Sequence, residues 1–85
     1  MLITAPRYNK WLAITKSDTV DFPNLGGSIL CDAIYVGGAG IVVAVAEDGS
    51  TAEFTAVAGE ILPIAAKRVN SATTSATLMV ALYNK

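Results

Sequence analysis

At 85 residues, with 53% hydrophobic and 15% charged side chains, one cysteine and no histidine, the chain has room for one small domain. It cannot close an internal disulfide, and its residues do not supply a zinc site. A net charge of −1 and a pI near 5.0 give no positive field to hold nucleic acid, so association with other chains is the remaining source of stability.

Residues 1–10 read as an N-terminal arm, interrupted by Pro6, ahead of a single β domain over 11–85. The short apolar start is followed at once by Pro6, Arg7, Asn9 and Lys10, which does not match a secretory signal, so the mature protein is expected to begin here. Tyr8 and Trp11 are candidate interface residues, because an aromatic pair beside a terminus often packs onto a neighbour; Trp11 can equally plug the domain's own core.

A first strand is expected over 11–15. Residues 19–22 alternate polar and apolar, so Val20 and Phe22 would share a face of a second. Gly26 and Gly27 allow a sharp reversal after Pro23. Residues 29–36 form a nearly continuous apolar strand, with Tyr35 inside and Asp32 at an edge or hydrogen-bonded. Gly37, Gly38 and Gly40 then read as a turn that needs positive φ. The β-branched run 41–45 is a strand, and no helix follows the glycines to cradle a phosphate. Asp48-Gly49 predicts a type I′ hairpin into a strand over 51–57, with Phe54 inward.

A single strand is expected over 61–69, its start held at an edge or bulge by Pro63. The last strand, 77–83, sets Leu78, Val80 and Leu82 on one face and Met79, Ala81 and Tyr83 on the other. The charge-poor run 78–81 serves either subunit contacts or the domain's own core, and Met79 and Tyr83 join Tyr8 and Trp11 as candidate interface residues. The fold class that results is all-β: a small antiparallel sandwich or barrel of about seven short strands.

Catalysis has no foothold in these residues. There is no histidine to act as base, and Cys31 lies in an apolar strand as a small buried hydrophobe. Glu47, Asp48, Glu53 and Glu60 fall in or beside turns, where acids are solvated. Asp18, Asp21 and Asp32 lack the calcium-loop pattern. No enzyme activity, cofactor or metal is expected, and no apolar run approaches the ~20 residues of a membrane helix.

Taken in order, SDTVDFPN (17–24), CDAIYVGGAG (31–40), EDGST (47–51), Phe54-Thr55, ILPI (61–64), KRVN (67–70) and ALY (81–83) resemble the head spike base proteins of tailed phages and phage-derived gene transfer agents. The likeness covers about residues 12–83. It implies a self-associating β domain on the outer surface of the capsid head, docked on the major capsid protein and carrying a spike or fibre. A pentamer is favoured and a trimer is the alternative. It also implies structural roles for Gly37, Gly38, Gly40 and Gly49 as turns and for Tyr35, Phe54 and Tyr83 as packing, with no catalytic motif. One departure is Ile41, where the family pattern has a polar residue, often Asp. A trimeric capsid decoration protein and a small glycan-binding module are the competing expectations.

Overall fold

The structure, a computed structural model, describes residues 7–84; residues 1–6 of the expected arm lie outside the described residues. Among the described residues seven strands form two antiparallel sheets. They are β1 (Lys10–Ala13), β2 (Ala33–Gly38), β3 (Gly40–Val45), β4 (Thr51–Ala56), β5 (Glu60–Leu62), β6 (Arg68–Val69) and β7 (Thr77–Tyr83). One sheet has the order β1-β7-β2-β5 and the other β4-β3-β6. No helix among the described residues is long and apolar enough to cross a membrane.

The two sheets face each other across one core, which makes the fold a sandwich. Ile34, Val36, Leu62, Met79 and Ala81 project from the four-stranded sheet, and Val42, Ala44, Ala56 and Val69 from the other. Phe54 packs against this core, as its position on β4 implied. Cys31 is fully buried, and its thiol donates to the Ile64 carbonyl at 3.6 Å. Asp32 accepts a bond from the Asn84 amide at 2.5 Å.

Two expected strands are corrected. Residues 19–22 form no strand: Phe22 enters the core and its amide bonds the Lys67 carbonyl, while Val20 points to solvent. The expected strand 61–69 is two strands in different sheets, because the chain turns at Pro63 and crosses the sandwich before β6. The number of strands matches the expectation only because this split offsets the strand that is missing.

The glycine cluster meets the expectation of positive φ at Gly40, with φ 156°, and does a different task at Gly37 and Gly38. Gly37 and Gly38 lie within β2, and only Ala39 separates β2 from β3, so this is a corner where the chain passes from one sheet to the other. Small residues are needed there because the 75–78 segment presses against it. A Cβ on Gly40 would stand 2.6 Å from the Ala76 amide nitrogen, and one on Gly37 would stand 2.8 Å from Leu78 Cβ. Close backbone approach, rather than a positive-φ turn, accounts for Gly37 and Gly38. In the β3–β4 hairpin, Gly49 has φ 89° and Asp48 does not have a positive φ, so the type I′ turn is not formed. The Gly49 amide bonds the Ala46 carbonyl, and Asp48 Oδ1 accepts bonds from the Ser50 amide and hydroxyl. A longer loop closed by a left-handed glycine satisfies the same reversal.

Candidate functional site

The pairing registers decide which side chains leave the sandwich. Since Ile34, Val36, Met79 and Ala81 point inward, their strand neighbours point outward. The outer face then reads in rows across the four-stranded sheet. Trp11 stands beside Leu82 and Leu82 beside Ala33. In the next row Ala13, Val80, Tyr35 and Ile61 lie side by side across all four strands. Leu78 stands opposite Gly37 in the third. None of these positions carries a charge, and the only polar atoms are the Tyr35 hydroxyl and the Trp11 indole N–H.

Leu82 and Ala33 are covered, and the positions around them are open. Trp11 is 70% exposed, Leu78 78%, Ile61 48% and Tyr35 36%. Leu78 also has φ 53°, the only non-glycine among the described residues with positive φ. A left-handed leucine costs roughly 1–3 kcal/mol. The strain holds an apolar side chain fully in water, and Gly37 opposite leaves the space that this backbone path requires. Withdrawing Trp11 or Leu78 from water into a partner surface contributes about 1.5–3 kcal/mol each. What these uncharged side chains can do is associate.

The four interface candidates read from the sequence separate. Trp11 belongs to the outer face and does not plug the core. Tyr8 is half-buried at the start of the described chain, where the neighbouring Asn9 amide extends the β1–β7 ladder to the Tyr83 carbonyl. Met79 and Tyr83 are corrected, since both are buried inside the sandwich. Tyr35, expected inside, lies on the outer face instead. Sequence reasoning also missed Ile61 as an exposed position, whereas Leu78 fell within the run 78–81 offered for subunit contacts and the alternation on β7 already set it apart from Met79.

Charged groups elsewhere have local tasks. Asp18 accepts the Ser71 and Ala72 amides, and Asp21 pairs with Arg68 at 2.9 Å. The hydrogen bonds from Ser50 hold the Asp48 carboxyl below its ordinary value. Burial pushes the Tyr83 phenol above its usual value of 10.0, with the nearby Cys31 and Asp32 adding to the rise. Its hydroxyl is enclosed without a hydrogen-bond partner among the described residues.

No protein-family model and no curated protein matches the chain. Among solved structures it is similar to a chain in the capsid of a native gene transfer agent particle computed with C5 symmetry. The two are 33% identical with a TM-score of 0.78, over 89% of this chain and 83% of the other. This chain belongs to that capsid-protein family. The match bears out the gene transfer agent part of the resemblance.

Proposed function

We propose that the chain is a non-enzymatic structural protein of a phage-like or gene transfer agent particle. It docks on the outer surface of the head, and a closed oligomer of it forms the base on which a spike or fibre stands. The observation that carries this reading is the 33% identity, across most of both chains, to a component of a gene transfer agent capsid. The outer face of the four-stranded sheet supports it, because a small domain with uncharged, exposed Trp11, Leu78, Ile61 and Tyr35 is suited to docking rather than to isolation in water.

The test is sedimentation of purified protein with heads assembled without it. Saturable binding that persists at high salt is expected, since apolar contact is little screened. The double variant Tyr35→Ser, Leu78→Asp is expected to remain in the supernatant. Heads that do not bind the wild-type chain would contradict the reading. The native mass separates its two forms: five copies fit a spike base at a five-fold vertex, and three fit a decoration protein between capsomers.

A further inference from the structure

A second surface, at the opposite side of the sandwich from β1, shows how one copy meets the next. Four strands end the two sheets. β1 has four residues, β5 has three and is followed by Pro63, and β6 has two. The flank of β6 is occupied by backbone bonds from Ser17 to Val69 and from Phe22 to Lys67. β4 differs from all of them. It has six residues, pairs with β3 in unbroken register, and contains no proline, lysine or bulge to blunt its free edge. Beneath it opens an apolar cleft of about 300 Å³ lined by Ala44, Ala46, Ala52, Phe54, Ile64 and Ala66, among others.

The topology places β1 and β4 at opposite lateral edges. The segment after β1 bonds β6, whereas the turn after β4 leads directly into β5 and bonds the Val36 carbonyl. In a sandwich, the inner face of one sheet and the outer face of the other point the same way. If β4 of one copy joins β1 of the next without turning either over, the β4 inner row continues into the β1 outer row. Ala52 and Phe54 then share a face with Trp11 of the next copy, and Glu53 shares the opposite face with its Lys10. The antiparallel register that sets Glu53 across from Lys10 sets Ala52 across from Trp11, at the mouth of the cleft.

We propose that β4 of one copy pairs with β1 of a second copy, head to tail, with Trp11 seated in the Ala52–Phe54 cleft and Lys10 paired with Glu53. This rests on the reading of the chain as a self-assembling particle component and names its subunit seam. Three features support a second copy as the occupant. Among the described residues a free edge lies at each end of the domain, the cleft is uncharged and roomy enough for one aromatic side chain, and charges of opposite sign stand at the two edges. Contacts of this heterologous kind close into rings when the rotation permits, which suits a cyclic base.

The chain has a single tryptophan, so its emission reports this contact directly. Wild-type protein is expected to show a concentration-dependent blue shift that tracks its mass in sedimentation equilibrium. Glu53→Lys and Lys10→Glu, both at exposed positions, are each expected to weaken association at least tenfold. The double variant is expected to recover most of it. Ala52→Phe, which fills the cleft from within the same chain, is expected to abolish the blue shift, with far-UV circular dichroism confirming the fold. The seam is overturned if oligomers form while Trp11 emission stays that of an exposed indole, if Glu53→Lys assembles like the wild type, or if the charge swap fails to restore assembly. It is also overturned if the wild type remains monomeric at all concentrations. Head binding by wild-type protein alongside any of these results leaves the proposed function standing and removes only the seam.

Discussion

The two sheets of this sandwich bury their inner faces alike and differ on their outer ones. Beyond the three-stranded sheet, Thr51, Glu53, Thr55 and Arg68 stand around Val43 and Val45, an ordinary polar dressing for a surface in water. Beyond the four-stranded sheet, Trp11, Ala13, Tyr35, Ile61, Leu78 and Val80 form an uncharged surface. Folding alone does not require that asymmetry. A domain of this size gains little from leaving Trp11 and Leu78 in solvent, and Leu78 adds backbone strain. The polar sheet completes the domain, and the apolar one is the face proposed to dock.

Substitutions at neighbouring positions can break that contrast. The largest effect is expected at Met79, on the inner side of β7, where Met79→Ala should cost about 2–5 kcal/mol in denaturant unfolding. A loss below about 1 kcal/mol there would mean that the buried side of β7 is not the core. Gly40→Ala tests the corner between the sheets. Its new Cβ would press on the Ala76 amide, with an expected loss of roughly 2–4 kcal/mol by the same measurement.

Tyr83→Phe should act in the other direction. Removing a buried hydroxyl that has no hydrogen-bond partner is expected to stabilise by about 1 kcal/mol. The raised pKa of the same phenol gives a pH signature. The folded state disfavours the phenolate, so the stability linked to Tyr83 is fully present below about pH 10, the unfolded value, and is lost as pH rises through the higher folded value. Tyr83→Phe should remove that part of the alkaline decline, as read by unfolding curves at several alkaline pH values. Leu78→Asn makes the smallest change in stability. Asparagine tolerates the left-handed backbone better than leucine, so a gain of up to about 1 kcal/mol is expected together with loss of head binding. Higher stability combined with unchanged binding would show that Leu78 is not part of the docking face.

The parts of the fold that could be read from the sequence were those with a local signature. The β-branched run of β3, the Asp48-Gly49 reversal and the return along β4 form a contiguous hairpin, and all three were legible. The switch between sheets after Pro63 was not, since a chain that leaves one sheet for the other carries the same apolar residues in either. Residues 19–22 alternate like a strand, yet only one backbone bond, from Phe22 to Lys67, ties them to a neighbour there. On β7 the alternation correctly separated Leu78 from Met79. Which of the two faces was the core could not be read, because both are apolar. That ambiguity misassigned Met79, Tyr83 and Tyr35, and it follows from the same surplus of apolar residues that leaves the outer face uncharged.

The most direct test of the account is hydroxyl-radical footprinting of the chain free and bound to heads, reading oxidation at Tyr35 and Leu78 against the buried Met79 as an internal reference. Strong protection of both on binding, with Met79 low in both states, is the predicted result. Head binding that leaves Tyr35 and Leu78 as reactive as in the free protein would contradict it.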